Sequence, residues 1–483
     1  MPHPCPIVSR VAAVAAAYPA RCAVVDENGD RVSYDGLWER VRWWTERLAA
    51  LGLPPHTTIA VLTDGAGETP AVFLAARSAG LVPVLVDSLL PQSRVADVLA
   101  AARPGALVDV ARRDIAPGVP APRVLPAEAG YVVFSSGSQG TPKGIVGQAA
   151  GLVHFVDWES RELAVAPGTR VAMLTSPAFD VVFRDMLLPL CTGGELHASG
   201  PAPRSAPQRV LPFLAERGVD VVHAVPSLAA RWAEAADGVA STTLRWTLFA
   251  GEPLHDVHVH RWRRVAPRTA VMNLYGPSEM TLAKFAFRVP DPPAPGLQPV
   301  GTALPGTVVR LRPEGADGSD GGHVTGVDIE SPFGSLGYLP DASSAQDRAR
   351  LRREGGRTVF RTQDRGHLDA AGNLVIAGRL DSLVKRRGVF VDTARVEAAA
   401  VEHGGVRAAC CTQAGPADDP SVVVAVESEE GRETGGLLRV LRKVLGAEAP
   451  DAAFVVTRLP LLPTGKVDRR AVRELYESRL VRR

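Results

Sequence analysis

Residues 131–144 have the sequence YVVFSSGSQGTPKG, and this stretch decides the interpretation of the whole chain. An apolar run, which predicts a strand, ends in a loop with three glycines, four hydroxyl side chains and Lys143. Glycines let backbone N–H groups approach an anion, hydroxyl groups donate hydrogen bonds to it, and an ammonium group supplies positive charge. The pattern therefore predicts a loop that binds phosphate. Its candidate residues are Ser135, Ser136, Gly137, Ser138, Gly140, Thr141 and Lys143.

The loop differs from the two common phosphate-binding patterns. A P-loop requires Gly-Lys-Ser/Thr, whereas Pro142 precedes the lysine here and Gly144 follows it. The glycine spacing also differs from that of the dinucleotide-binding fingerprint. A Ser/Gly-rich turn without a ligand is the plain alternative, but the preceding strand and the lysine favour phosphate.

On both sides of this loop, short apolar runs alternate with helical patterns over the first two-thirds of the chain. Residues 68–78 and 208–217 have helical spacing. Strands that alternate with helices predict a doubly wound α/β fold with parallel strands. The predicted strands are 58–63, 81–86, 106–110, 131–134, 170–174 and 219–223.

The composition changes after about Pro290, where loop-forming Pro, Gly and Asp become frequent. The last hundred residues have the pattern of a small α+β unit. We therefore predict an α/β protein with two domains. Residues 1–380 form a large N-terminal domain of doubly wound sheets plus a β-rich subdomain, and residues 381–483 form a small α+β C-terminal domain. The predicted later elements are strands 324–330, 358–362, 374–377, 421–426 and 453–457 and helices 393–402 and 436–445.

Bulk composition excludes several classes of function. The 483 residues are 46% hydrophobic and 22% charged with a net charge of +2, so neither nucleic acid nor a membrane surface is an expected partner. No apolar run approaches the roughly 18–20 residues of a membrane span. The five cysteines lack metal-ligand spacing and do not suggest a disulfide framework, so a reducing cytoplasm is the expected compartment.

Five further motifs follow the chain in a recognisable order. Together with the phosphate loop, they resemble the adenylate-forming superfamily, which contains acyl- and aryl-CoA ligases, luciferases and the adenylation domains of nonribosomal peptide synthesis. The resemblance spans nearly the whole chain. It implies an ATP-dependent, AMP-forming ligase whose small C-terminal domain is a mobile lid. The motifs are VSY at 32–34 followed by Leu37, NLYGPSE at 273–279, TQD at 362–364, GRLD at 378–381 and LPTGK at 462–466.

In this family the second motif holds the nucleotide. The resemblance implies that Tyr275 stacks on adenine, that Asn273 binds its exocyclic amine and that the Ser278 hydroxyl touches the α-phosphate. Glu279 is the expected ligand of Mg²⁺, a cation that prefers oxygen. The remaining expected ATP-binding residues are Gly251, Glu252, Gly276, Asp364 and Arg379.

The sequence places Asp364 and Arg379 on either side of a predicted hairpin, where the family uses both for the ribose. Lys466 matches the lysine that enters the active site from the small domain and bridges the carboxylate and the nucleotide. Asp381 matches the hinge between the domains, and Lys385 lies in the stretch that enters the site in the second half-reaction. Two departures are Gln139 for the usual Thr and Gln363 for the usual Gly.

Asp180 indicates an amino acid as the acid that is activated. Peptide-synthesis adenylation domains have an aspartate at this motif position to pair with the α-ammonium group, and a carboxylate facing a pocket is costly without a cation. The alternative is that Asp180 caps a helix beginning at Val181.

The family alignment also predicts the walls of the side-chain pocket. They are mostly apolar, and the bulky Leu274 and Leu282 leave room for a short substrate side chain. Ala250 and Ala283 stand where serine-type pockets have polar groups, which favours a methyl group over a hydroxymethyl group. Alanine is the first candidate, followed by serine, glycine, cysteine and 2-aminobutyrate. Arg184 is expected to point outward, since an inward guanidinium would indicate a polar or acidic substrate. The pocket residues are Asp180, Val181, Arg184, His223, Leu248, Ala250, Leu274, Leu282 and Ala283, with Lys466 completing the pocket.

The expected acceptor of the adenylate is the phosphopantetheine thiol of a separate acyl or peptidyl carrier protein, or an amine on such a carrier. We find no Gly-Gly-x-Ser carrier motif after Lys466. Two alternatives stay open. One is a CoA ligase for a small carboxylic acid, and the other is a catalytically silent nucleotide-binding module, which the departures at Gln139 and Gln363 suggest.

Overall fold

The computed structural model describes residues 5–136, 142–313, 325–386, 389–402, 406–415, 421–428, 436–461 and 467–480. The chain divides into two compact units. The larger consists of Met1–Arg310 with Asp328–Arg361, and the smaller of Leu311–Val327 with Thr362–Arg483. The predicted α/β class is confirmed, whereas the boundary at Asp381 stays a prediction.

A large sheet of the bigger unit is parallel at its centre. In the described part of the chain it has nine strands, and antiparallel strands close both edges. Apolar residues dominate the central strands because both faces of a parallel sheet are covered. In spatial order its strands are Thr302–Ala303, Phe285–Val289, Ala270–Tyr275, Trp246–Ala250, Val221–Ala224, Arg170–Met173, Glu195–Ala198, Cys22–Val25 and Arg31–Ser33.

A second sheet of this unit contains the decisive stretch of sequence. Ala129–Ser136 pairs antiparallel with Pro142–Gln148, with Ser135 opposite Lys143, so the glycine-rich loop connects the two strands of a hairpin. Within the described residues this sheet has seven strands. In spatial order they are Gly337–Tyr338, Pro142–Gln148, Ala129–Ser136, Val82–Asp87, Thr58–Thr63, Ala106–Asp109 and Asp114–Pro117.

Several helices of the larger unit bury a single apolar stripe, whereas Thr69–Ser78 and Val182–Leu190 are buried almost all round. Tyr34–Ala49 shows why they form: Ser33 caps its first turn, and apolar residues three to four positions apart, from Tyr34 to Leu48, face the core. The other α-helices are Pro6–Ala17, Thr69–Ser78, Gln92–Ala102, Ala149–Glu162, Val182–Leu190, Pro201–Ser205, Val210–Glu216, Pro226–Glu234, Asp256–Val265 and Ala345–Arg350, and the 3-10 turns are Pro207–Arg209, Ser278–Met280 and Pro340–Ala342.

The smaller unit has a core of its own. Val406–Ala414, Ser421–Ser428 and Ala452–Val456 form a sheet, against which three apolar helix positions pack, Val396, Leu441 and Leu445. The chain passes between the units inside the strands Val308–Arg312, Thr325–Ser331 and Arg357–Leu368. The other elements are strands Leu351–Glu354, Leu374–Arg379, Leu383–Arg386 and Val389–Asp392, helices Thr393–Glu402, Leu437–Leu445 and Arg469–Leu480, and 3-10 turns Leu380–Ser382 and Gly446–Glu448.

Two expectations about the cysteines and the membrane can be compared with the structure. All five cysteines are free thiols, so the expectation of no disulfide framework is confirmed. Among the helices that the structure describes, none has the length and apolar character needed to cross a membrane.

Candidate active site

Four predicted pocket residues lie at the carboxyl ends of neighbouring parallel strands. His223 is opposite Leu248 in the register of one strand pair, and Ala250 is opposite Leu274 in the next. His223, Leu248 and Leu274 are buried, and Ala250 is half-buried. Ligands of open α/β sheets bind at this edge. The structure therefore brings together positions that are up to 51 residues apart in sequence.

Asp180 is buried beside this edge and is held by two donors. The Ser278 hydroxyl donates to its Oδ1 atom at 3.0 Å, and the Leu282 N–H donates to its Oδ2 atom at 3.3 Å. The following helix begins at Val182, and no side chain caps it, so the alternative role of Asp180 as a helix cap is wrong. Burial raises the pKa of Asp180, while these hydrogen bonds and the charge of Arg184 oppose that rise. A desolvated carboxylate in this state favours a cationic partner.

The turn that follows Ser278 is strained and is stabilised by Lys284. Thr281 and Leu282 have left-handed backbones, with φ of 61° and 57°, and such residues cost about 1–3 kcal/mol each. The buried Lys284 ammonium donates to the carbonyl oxygens of Thr281 at 2.5 Å and Ala283 at 3.3 Å. Gly276 packs against the same turn, where a Cβ atom would lie 2.4 Å from the Leu282 oxygen. The role of Lys284, which the sequence left open, is to support the chain around Asp180.

Replacing Lys284 with methionine should change how stability depends on pH. Burial lowers the pKa of Lys284 to about 7, with Asp180 opposing the shift, whereas an unfolded lysine has a pKa of about 10.4. Between these values the unfolded chain binds the extra proton, so the wild type gains stability as the pH rises from 7 and loses it as the pH falls. The melting temperature of the wild type should therefore rise relative to that of Lys284→Met between pH 7 and pH 10. A constant difference across this range would contradict the prediction.

His223 is clamped between two buried carboxylates. Its Nε2 atom is 2.9 Å from Glu159 Oε1, and its Nδ1 atom is 2.8 Å from Asp185 Oδ1. All three side chains are fully buried. Burial and the charge of Arg184 lower the pKa of His223, but the two carboxylates outweigh them and the net shift is upward. Each ring nitrogen therefore lies within ion-pairing distance of a protein carboxylate.

Arg184 is 3% exposed, so the expectation that it points outward is wrong. It lies on the helix Val182–Leu190, one turn after Asp180 and next to Asp185. Because the whole of this helix is buried, its polar side chains have no route to solvent. The other predicted wall positions are the half-buried Val181 and the buried Leu282 and Ala283.

The nucleotide motif lies at the end of the strand Ala270–Tyr275. The Asn273 side chain is buried, and its Nδ2 atom donates to the Pro299 carbonyl oxygen at 2.8 Å. This orientation leaves its Oδ1 atom to accept a hydrogen bond, which the exocyclic amine of adenine requires. Tyr275 is half-buried, with its ring 5.9 Å from that of Phe285.

Two further predicted residues, Gly251 and Glu252, follow the neighbouring strand Trp246–Ala250. Gly251 has a φ of 91°, which favours glycine. The Glu252 carboxylate accepts from the Ser227 N–H at 3.1 Å, at the start of the helix Pro226–Glu234. The contact of Gly251 and Glu252 with nucleotide stays a prediction. The contact of Ser278 with phosphate also stays a prediction, since the Ser278 hydroxyl donates its proton to Asp180.

Glu279, the predicted ligand of Mg²⁺, presents one buried carboxylate. Its Oε1 atom accepts from the Tyr338 hydroxyl at 2.6 Å, and burial raises its pKa. A nearby cation would favour the ionised form. Among the described residues no group of three acidic, histidine or cysteine side chains could hold a metal ion. A single buried carboxylate such as Glu279 is compatible with Mg²⁺, which takes most of its ligands from phosphates and water, and the role of Glu279 as its ligand stays a prediction.

Lys143 forms an ion pair that the sequence did not reveal. Its Nζ atom is 2.5 Å from Asp347 Oδ1, and both side chains are largely buried. Asp347 also accepts from the Ser344 hydroxyl at 2.7 Å and belongs to the capping box of the helix Ala345–Arg350. The lysine expected to bind phosphate is thus held by a carboxylate.

Asp364 and Arg379 are directly opposite each other in the hairpin that the sequence predicted, within the smaller unit. Arg379 Nη1 is 3.5 Å from Asp364 Oδ1. The unusual Gln363 has a function that glycine could not perform, because its Oε1 atom accepts from Arg379 Nη2 at 3.3 Å. Asp381 lies in the 3-10 turn Leu380–Ser382.

Several predicted residues lie outside the residues that the structure describes, so their roles stay predictions. The side chains of Ser136, Asp381 and Lys385 are also outside the description. The predicted residues concerned are Gly137, Ser138, Gly140, Thr141 and Lys466, together with the unusual Gln139.

The motifs in the sequence do not name the partners of the charged residues. One of them left a signal: Glu159 occupies the buried stripe of the helix Ala149–Glu162, seven residues after Leu152 and four after Phe155. A carboxylate at such a position must have a partner. Tyr338 and Asp347 left no signal, since neither lies in a motif and their contacts span 59 and 204 residues.

Comparison with known proteins agrees with these motifs. The L-proline–[L-prolyl-carrier protein] ligase of Pseudomonas fluorescens is 28% identical over 503 residues, which covers 96% of this chain and 98% of the relative. Phosphinothricin tripeptide synthetase PhsC of Streptomyces viridochromogenes is 28% identical, but the match covers 44% of that relative. The crystal structure of IdnL7 has a TM-score of 0.81, 25% identity and 99% coverage of both chains.

The family model for AMP-binding enzymes matches residues 11–124 and 109–327, more than half of the chain. This range contains the phosphate loop, Asp180 and the nucleotide motif. The chain therefore belongs to the family of AMP-binding enzymes, and the prediction of an ATP-dependent, AMP-forming ligase is confirmed.

Proposed function

We propose that this enzyme activates a small L-α-amino acid as an aminoacyl adenylate and transfers it to a carrier protein in natural-product biosynthesis. The observation that carries the proposal is the buried carboxylate of Asp180. It accepts hydrogen bonds from Ser278 and Leu282 and lies beside apolar pocket positions. An α-ammonium group would supply its missing cation. The named activity of the Pseudomonas fluorescens relative, which loads proline on a carrier, supports the same reaction class.

In the first half-reaction, a substrate carboxylate oxygen attacks the α-phosphorus of ATP, and the bond to pyrophosphate breaks. Asp180 orients the amino acid, and Asn273 and Tyr275 hold adenine. Asp364 and Arg379 are the proposed ribose ligands. Positioning and offsetting of negative charge account for most of the catalysis in such transfers. Mg²⁺ held by Glu279 would offset charge on the phosphate oxygens.

In the second half-reaction, the phosphopantetheine thiol of a separate carrier attacks the acyl carbon, and AMP leaves. A carrier-bound amine would react at the same carbon. The amino-acid pocket favours a carrier over CoA as the acceptor, because carriers receive amino acids in peptide synthesis. Alanine is the first candidate from the apolar Ala250 and Ala283, with serine, glycine, cysteine and 2-aminobutyrate next.

The acceptor can be tested by supplying equal concentrations of holo-carrier protein and CoA after activation with a mixture of radiolabelled amino acids. We expect acid-stable label on the carrier and release of AMP. Label on CoA with none on the carrier would support the CoA ligase instead. Absence of any AMP release or exchange of pyrophosphate would support a silent module.

Asp347 should compete with ATP for Lys143. We expect Asp347→Asn to lower the KM for ATP by about 3- to 10-fold, since ATP no longer has to displace a carboxylate and tenfold corresponds to about 1.4 kcal/mol. Asparagine keeps an oxygen that can accept from Ser344. Steady-state kinetics with varied ATP would measure the change.

The matched control for this prediction is Ser344→Ala, which removes the cap of the helix Ala345–Arg350 without touching Lys143. It should lower the melting temperature and leave the KM for ATP unchanged. A rise in the KM for ATP in Asp347→Asn would instead identify Asp347 as a residue that positions Lys143 for phosphate.

A further inference from the structure

The predicted side-chain pocket has three polar side chains, and two of them are already engaged. Asp180 is the proposed partner of the substrate ammonium group. His223 lies within ion-pairing distance of two carboxylates, Glu159 on one ring nitrogen and Asp185 on the other. Neither residue can therefore recognise a substrate side chain without breaking a buried contact. The third polar side chain is Arg184.

Arg184 has donors without partners. Its side chain is buried, its Nε atom has no hydrogen-bond partner, and the described part of the chain gives its guanidinium group neither a hydrogen bond nor an ion pair. Arg184 lies one helical turn after Asp180 and next to Asp185, and its charge acts to lower the pKa of both Asp180 and His223, so it is close to the proposed ammonium site. A buried guanidinium without acceptors is unfavourable. A ligand that supplies acceptors would remove this cost.

The charge balance indicates what kind of ligand group is needed. The formal charges of Glu159, Asp185, a protonated His223 and Arg184 sum to zero. Arg184 therefore needs acceptors for its five N–H donors more than it needs another anion. Oxygen atoms of a hydroxyl, a carboxamide or a carboxylate all meet this requirement. A methyl group does not, and by displacing water it would leave the donors unpaired.

We propose that the activated amino acid has a short side chain with an oxygen acceptor, which Arg184 binds. This inference rests on the proposed function and selects among its small substrates. It favours serine over alanine, and it admits aspartate and asparagine, which the apolar positions alone would not suggest. Leu274 and Leu282 limit the length of the side chain.

Matched pairs of amino acids test the proposal in the wild-type enzyme. Pyrophosphate exchange would compare serine with alanine, asparagine and aspartate with 2-aminobutyrate, and threonine with valine. We expect an oxygen-bearing amino acid to have the highest kcat/KM and to exceed its partner by about 10²-fold or more, since sites built around a hydrogen bond reject analogues that lack it. Comparison of serine, asparagine and aspartate then shows whether Arg184 binds a hydroxyl, a carboxamide or a carboxylate oxygen of the substrate.

Arg184→Met removes the donors while keeping an unbranched side chain, and Arg184→Lys keeps a charge. We expect the methionine variant to reduce the kcat/KM ratio within the preferred pair by at least tenfold, and the lysine variant to reduce it less. A ratio within one preparation is independent of the folded fraction. The exposed Arg42→Met is the control, and it should leave the ratio unchanged.

Two results would overturn the inference. One is a wild-type enzyme for which the oxygen-free amino acid is as good as or better than its partner in every pair. The other is an Arg184→Met variant with the wild-type ratio. Both leave amino-acid adenylation intact, whereas failure of the proposed function would appear as no exchange with any amino acid.

Discussion

Asp180→Asn should lower kcat/KM for the amino acid by about 10²- to 10⁴-fold in ATP–pyrophosphate exchange. The substitution keeps the size of the side chain and removes the charge that faces the ammonium group. Breaking a buried ion pair by neutralising one partner costs about 3–5 kcal/mol, which corresponds to this range. The effect should appear mainly in the KM if the pair contributes equally to the ground state and the transition state.

Binding of ATP and thermal stability show whether the effect of Asp180→Asn is specific to the amino acid. Binding of ATP should change little, because Asn273 and Tyr275 are untouched. The asparagine Oδ1 atom can still accept from Ser278, but the amide nitrogen cannot accept from the Leu282 N–H. We therefore expect a modest fall in the melting temperature, which is to be measured beside the kinetics so that the loss of amino-acid binding is compared in fully folded protein. An unchanged kcat/KM for the amino acid would show that Asp180 does not bind the ammonium group.

Lys466→Ala should abolish detectable adenylate formation. A lysine that bridges the substrate carboxylate and the nucleotide stabilises charge that develops as the α-phosphorus is attacked. Removal of one such group typically costs about 10²–10³ in kcat, and here the lost ammonium also contributed to positioning. Pyrophosphate exchange and single-turnover formation of AMP would both measure the loss.

The chain offers a matched control for this variant. Lys443 lies on the helix Leu437–Leu445, in the same unit as Lys466, and has no role in the proposed reaction. Lys443→Ala should retain wild-type exchange. Transfer from preformed aminoacyl adenylate to the carrier should survive in Lys466→Ala, since that step no longer involves attack on phosphorus. Wild-type exchange by Lys466→Ala would contradict the assignment.

Local sequence patterns predicted several of the helices and strands that carry the site. The strand Thr58–Thr63 and the helix Thr393–Glu402 have the predicted bounds, because periodicity and flanking turns are local signals. The pairing of Asp364 with Arg379 follows from a turn centred between two strands, which fixes the register. The grouping of His223, Leu248 and Leu274 follows from parallel strands that end at one edge.

The contacts among charged residues could not be predicted in the same way. The ion pair of Lys143 with Asp347 depends on how two distant segments pack, and neither residue has a local pattern that names the other. The family alignment places His223 in the pocket wall, but it carries no information about Glu159 and Asp185. The exposure typical of arginines predicts that Arg184 points outward, but its helix is buried on all sides.

The most direct test of the account is ATP–pyrophosphate exchange with amino acids and their counterparts without the amine. Alanine would be paired with propionate, serine with 3-hydroxypropionate and aspartate with succinate. We predict exchange that depends on at least one small α-amino acid and is absent with its des-amino counterpart, because Asp180 requires the ammonium group. Equal or greater exchange with the des-amino acids, or none with any amino acid, would contradict amino-acid adenylation.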